Sequence, residues 1–169
     1  GAAWIDGCQS VGTGAVAKHL VCNDSETARD RMNAVVDERT LREVYLLPFE
    51  MAAEARCAGM LTAYNKVNGD WCAESAPVIT DVAKKEWGFD GVFMSDWFGT
   101  HSTLGSLRGG LDLEMPGPAR FLGQHSAAAV SEGAVTRERL HDAATRVARA
   151  ARRFGAGKGA PMEAIDAAE

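Results

Sequence analysis

Gly91-Val92-Phe93-Met94-Ser95-Asp96-Trp97 is an apolar run that ends abruptly in a carboxylate followed by an indole. A strand buried on both faces of a parallel sheet reads as such an unbroken run, and its C-terminal end opens onto the binding face. An acid at that point is held rigidly at the mouth of a pocket, beside a flat apolar ring. The placement suits a nucleophile or a general base. Asp also caps helices that follow strands, so position 96 carries both readings until its surroundings are considered.

Working outward, three more apolar runs end in polar residues. Gly14-Ala15-Val16-Ala17 leads into Lys18-His19, then Leu20-Val21-Cys22 and Asn23. Gly59-Met60-Leu61-Thr62-Ala63 leads into Tyr64-Asn65, and Gly110 to Gly117 carries Asp112 and Glu114. Helical patterns separate the runs. Thr40-Leu41-Arg42-Glu43 reads as a capping box, with Leu41, Val44, Tyr45, Pro48, Phe49, Ala52 and Ala53 on one face. Pro48 should kink or split that helix. Ser75 is expected to cap a second helix, with Pro77 in its first turn and Gly88 as its stop. A short helical turn is predicted at Ser102 to Arg108. A long amphipathic helix runs from about Thr136 to Gly155, and 156–169 reads as a linker or tail.

Strands alternating with helices imply right-handed crossovers and a parallel sheet. The fold class is therefore α/β, and four such units make roughly half of a TIM-type barrel, whose full length is about 250 residues. Residues 1–155 form that half. An open half-barrel leaves strand edges unpaired, which a four-stranded doubly wound sheet would avoid. The sequence, however, has neither GxGxxG nor GxxxxGK[ST], which disfavours nucleotide binding.

The composition is ordinary globular: 46% hydrophobic and 24% charged, with net charge -5. Nothing is basic enough for nucleic acid, and no run approaches the roughly 20 apolar residues that span a bilayer. Cys8, Cys22, Cys57 and Cys72 lack CxxC spacing, so a zinc site is disfavoured. Cys22 and Cys57 sit in apolar stretches as buried thiols would, and a disulfide stays open. The chain opens on Gly1-Ala2-Ala3-Trp4, without methionine or signal peptide, so it is either processed or a window onto a longer protein. Localisation is not readable from it.

Five blocks, taken together, resemble glycoside hydrolase family 3, the β-glucosidase family. They are Lys18-His19-Leu20 with Asn23 and Glu26; Val36 to Phe49; Met60 to Gly69; Trp87 to Gly91 continuing through Ser95-Asp96-Trp97; and Gly110 to Gly117. They occur in family order, covering most of residues 10–155, the second half of the family's N-terminal barrel domain. The resemblance implies retaining, exo-acting hydrolysis of β-linked glucosyl residues with no metal or organic cofactor. It matches Asp96 to the nucleophile, and such an enzyme needs a second carboxyl group about 5–5.5 Å away. It matches Lys18 and His19 to the pair that hydrogen-bonds sugar hydroxyls, Tyr64 to a tyrosine close to the nucleophile, and Arg29 to an arginine after the Lys-His block. Trp97 would then lie beside the sugar, and Asp112 and Glu114 would be structural.

Competing readings attach to the same residues: a Schiff-base lysine at 18, surface pairing for Arg29, and core packing for Tyr64 and Trp97. By the resemblance, the partners absent from this chain are the first barrel half, with an aspartate and an arginine that grip the sugar, and a following α/β sandwich that carries the acid/base glutamate. None of Glu26, Glu38, Glu43 or Glu114 is expected to replace it. Leu61 stands where some members carry a methionine facing the sugar. The absence of a KHFPGHG-type loop after Lys18 argues for the β-glucosidase branch, with β-xylosidase-like specificity as its neighbour. The alternative from another class is a non-catalytic half-barrel that binds sugars or a partner. The glycosidase reading requires the acid at position 96 to face a cavity fit for a pyranose.

Overall fold

A computed structural model of the chain describes residues 1–155, so the tail expected over 156–169 lies outside the described residues. Three strands form the principal sheet: β1 (Val16–Leu20), β3 (Gly59–Thr62) and β6 (Val92–Ser95), in the order β1-β3-β6 and parallel throughout. Gly59 is paired with Val16 on one side and Val92 on the other. A Cβ on Gly59 would lie 2.7 Å from the Val92 carbonyl oxygen, so the strands meet there only because the side chain is absent. β3 is buried along its whole length, as a central strand should be, whereas β1 alternates between exposed and half-buried residues before Leu20. That alternation marks β1 as an open edge.

The parallel α/β organisation matches the expectation, but the fourth apolar run departs from it. Residues 110–117 contribute only an isolated parallel bridge, Met94 to Leu113. The cause is Asp112, whose carboxylate accepts the Phe93 N–H at 3.0 Å and so interrupts a regular ladder.

α1 (Ala2–Ser10) precedes β1 and was not legible in the sequence. The helix expected after Thr40 begins earlier, at α2 (Glu38–Thr40), because Asp37 is the N-cap and accepts the Thr40 N–H at 3.0 Å. The proposed capping box is therefore incorrect: Glu43 pairs with Arg39 instead. The chain widens into a π-helical stretch at Leu41–Leu46 and resumes as α3 (Leu47–Glu54), with Pro48 in the first turn. Pro48 lacks an N–H and so splits the helix, as expected.

Ser75 does not cap the next helix through its side chain. Ala76 is the N-cap of the π-helical stretch Pro77–Glu86, and the Ser75 carbonyl accepts the Ile79 N–H. Gly88, at φ +63, stops it in the left-handed conformation. Two later helices start where expected. Ser102 caps α4 (Thr103–Gly109) and Thr136 caps α6 (Arg137–Phe154), each through its hydroxyl. Between them lies α5 (Gln124–Ser131), whose buried residues are only Ser126 and Ala129, too small to mark a stripe.

A second, small sheet lies beyond β1 and β3: β2 (Asn33–Ala34) beside β4 (Lys66–Val67), which turns through Asn68-Gly69 into β5 (Asp70–Trp71). Both turn residues have positive φ, the Asn-Gly hairpin signature. The core is packed around Phe93, Met60, Leu20, Ile79, Leu107 and Leu111, all essentially solvent-free. All four cysteines are free thiols, which excludes a disulfide among them.

Candidate active site

Asp96 follows β6 directly, and the preceding residue fixes its direction. Ser95 is fully buried, and its hydroxyl accepts the Met115 N–H at 2.9 Å, tying the end of β6 to the loop beyond residue 113. The Asp96 side chain is 15% exposed. Its Oδ1 accepts the Tyr64 hydroxyl at 3.1 Å and the Trp97 backbone N–H at 2.7 Å. Its Oδ2 lies 3.2 Å from His19 Nε2. The ends of all three principal strands thus converge on one carboxylate: His19 from β1, Tyr64 just past β3 and Asp96 after β6. The carboxylate caps no helix; the next helix, α4, is capped by Ser102.

The Tyr64 phenol is held above its ordinary pKa, chiefly by burial and then by its hydrogen bond to Asp96 and that residue's charge. It therefore remains a donor well into the alkaline range. Arg29 places its guanidinium 4.9 Å from the Tyr64 ring centroid and makes the surface pair that competed with its site reading, to Glu26 at 2.8 Å. Lys18 is exposed at the β1 end. Trp97 is 49% exposed and so is not core packing.

A hollow of about 720 Å³ lies along the open side of β1. Lys18 and His19 line it together with Trp4, Val44, Tyr45 and Phe49, but Asp96 does not. Asp96 meets this hollow only through His19, 3.2 Å away.

The other acids are engaged elsewhere. Glu38 pairs with Arg42 and Glu43 with Arg39 on the surface. Glu114 is buried and accepts the N–H groups of Arg120, Phe121 and Leu122, clamping that loop. Asp112 has a solvent-free side chain bonded to Lys84 and Arg139 at 2.7 Å each. Both acids are structural, as the resemblance implied. Leu61 is buried in β3. The sequence reading missed Phe98 and Arg120. Phe98 is 57% exposed, and the Arg120 guanidinium lies 5.0 Å from its ring centroid. Two consecutive exposed aromatics after an acid were the available signal. Among the described residues, no group of three or more His, Cys, Asp or Glu side chains is arranged to hold a metal. No described helix is long and apolar enough to cross a membrane.

Comparison with known proteins gives this geometry a context. The family model described as the glycosyl hydrolase family 3 N terminal domain matches residues 1–150. A β-glucosidase of Rhizobium radiobacter is 49% identical over 160 residues, spanning 94% of this chain and 20% of that protein. Probable β-glucosidase I of Aspergillus fumigatus is 50% identical over 129 residues, covering 76% of this chain and 15% of its own. Among solved structures, a Kluyveromyces marxianus β-glucosidase in complex with glucose superposes with a TM-score of 0.84 at 40% identity, covering 89% of this chain and 18% of that one. A Chaetomella raphigera β-glucosidase gives 0.88 at 38% identity, over 95% of this chain and 23% of its own. The chain spans about a fifth of the length of such relatives. It belongs to glycosyl hydrolase family 3, within the family's N-terminal domain.

Proposed function

We propose that these residues serve a retaining, exo-acting β-glucosidase, with Asp96 as its nucleophile. The observation that carries the reading is the convergence of Tyr64, His19 and the Trp97 N–H on one carboxylate at the end of a buried strand. The Tyr64 hydroxyl and the Trp97 N–H donate to it and His19 lies beside it, so the carboxylate is held in one orientation at the strand end, as attack requires. One Asp96 oxygen bonds to the anomeric carbon as the bond to the leaving oxygen breaks, and that oxygen takes a proton from an acid. Water, relieved of a proton by the same group, then bonds to the anomeric carbon as its bond to Asp96 breaks, which releases glucose and frees the carboxylate.

Every acid considered as that proton donor is committed elsewhere: Glu26, Glu38 and Glu43 to arginines, Glu114 to three backbone N–H groups. By the family resemblance, the proton donor and the facing wall of the subsite come from other parts of a longer polypeptide, and relatives about five times this length have room for them. Residues 1–155 supply the second half of the barrel. Lys18, His19 and Arg29 contribute donors to sugar hydroxyls, and Trp97 an apolar ring face. The substrate is a terminal β-D-glucoside, with a β-xyloside as the nearest competitor.

The test uses the full-length enzyme. Asp96→Asn should lower kcat/KM for an aryl β-glucoside on the order of 10⁴-fold, with the circular dichroism spectrum unchanged. Undiminished turnover by that variant would refute the assignment.

A further inference from the structure

Tyr64 and Asp96 stand on different loops, so their hydrogen bond of 3.1 Å requires those loops to keep one spacing. The loop after β3 leads from Tyr64 into the hairpin of β4 and β5, and the loop after β6 runs from Asp96 to Ser102, the cap of α4. Away from the carboxylate, the two are joined by a pair of rings. The His101 imidazole stacks on the Trp71 indole with centroids 3.7 Å apart and planes 12° from parallel. Trp71 is paired across the hairpin with Lys66, whose Nζ lies 4.6 Å from the same indole centroid. The indole is thus engaged within the molecule. Both sides of the stack are anchored. Asn65 is fully buried, and its side chain donates to the Val21 carbonyl at 3.1 Å while its own carbonyl accepts the Cys72 N–H at 3.0 Å, which seats the hairpin on the end of β1. Three residues past Trp71, Glu74 accepts the hydroxyl of Ser102, the neighbour of His101, at 2.8 Å.

His101 is held below its ordinary pKa chiefly by burial, with Glu74 opposing the shift and the charges of Lys66 and Arg120 reinforcing it. Near neutral pH it therefore offers an uncharged flat ring. We infer that His101 and Trp71 are positioning residues: their stack clips the loop of Tyr64 to the loop of Asp96 and so keeps the phenol hydroxyl on the carboxylate. The consequence for hydrolysis rests on the reading of Asp96 as nucleophile, whereas the consequence for the Tyr64–Asp96 bond does not.

The experiment uses the full-length enzyme with His101→Leu, which keeps bulk but offers no flat face, and His101→Phe, which keeps the face. Two quantities are read: kcat/KM for phenyl β-D-glucoside, and the tyrosinate titration of Tyr64, taken as the difference from the same protein carrying Tyr64→Phe. His101→Leu should lower kcat/KM about five- to tenfold, the worth of one aromatic pair. It should also move the Tyr64 titration to lower pH, because the bond to Asp96 helps to hold that phenol up. His101→Phe should restore both. Trp71→Leu should match His101→Leu, and the double variant should be no worse than either single one, since the stack can be lost only once. Trp71→Leu is read by the same criteria should His101→Leu not fold. An unmoved Tyr64 titration overturns the inference whatever the activity, and so does a His101→Phe enzyme as impaired as His101→Leu. If the titration moves while turnover stays intact, the stack positions the pair but the pair does not serve the reaction. The fault then lies with the nucleophile reading, which Asp96→Asn tests separately.

Discussion

Tyr64 joins the site's chemistry to its electrostatics. Its hydroxyl donates to Asp96 from a half-buried position, so removing it strips one of two hydrogen-bond donors from the carboxylate while leaving the ring packed under Arg29. Tyr64→Phe should lower kcat/KM of the complete enzyme about tenfold or more, the usual worth of a hydrogen bond to a charged group. The pH dependence has a definite sign. The phenol is raised above its ordinary value of about 10 by burial, then by the bond to Asp96 and its charge. The stabilisation this donor provides is therefore fully present below about pH 10 and disappears as pH rises through the raised value. In Asp96→Asn the charge is gone, and the tyrosinate absorbance should appear at lower pH than in the parent. An unchanged difference titration would mean that Tyr64 and Asp96 are not coupled.

At the scale of elements, α6 shows how much a single cap contributes. Thr136 accepts the Arg139 N–H at 3.2 Å, and the helix it starts runs 18 residues. Thr136→Ala should cost about 1 kcal/mol, read as a lower melting temperature, whereas Thr136→Ser should be nearly silent. This helix was fully legible because Leu140, Ala143, Val147 and Ala151 repeat with helical spacing from a capping residue to a glycine. The strands carrying His19, Tyr64 and Asp96 were legible for the complementary reason: continuous apolar runs that end in polar groups. Other elements were not. Local patterns missed that Asp37 outcompetes Thr40 as a cap, because both residue types can serve and only the fold chooses the turn. The Asn68-Gly69 hairpin was written in the sequence and passed over. Asp112 sits in an apolar run that looks like a strand, and only its tertiary partners reveal that its side chain replaces a ladder acceptor. Phe98 was passed over although it follows Trp97 after the acid, and its positive backbone angle could not be read.

For the molecule as a whole, the end of the sheet opposite Asp96 is bolted down by polar side chains. Arg146 donates to the carbonyls of Phe89 and Gly91, Arg149 to that of Asp90, Arg153 to that of Arg56, and Gln9 to those of Ala55 and Arg56. Beside them, Asp112 joins Lys84 and Arg139 to the Phe93 backbone. Asp112→Ala would leave two cations and a buried N–H without their acceptor. It should destabilise this part of the protein by about 3–5 kcal/mol, seen as early unfolding in melts of the full-length enzyme and in faster amide exchange along β6. Equal stability of variant and parent would show that the cluster is replaceable. Because α1 and the C-terminal half of α6 are fastened at the strand bases, the rim that bears Asp96 is relieved of much of the task of holding the scaffold together. Such a division of labour makes a lineage adaptable: substitutions can accumulate at one end without loosening the architecture anchored at the other.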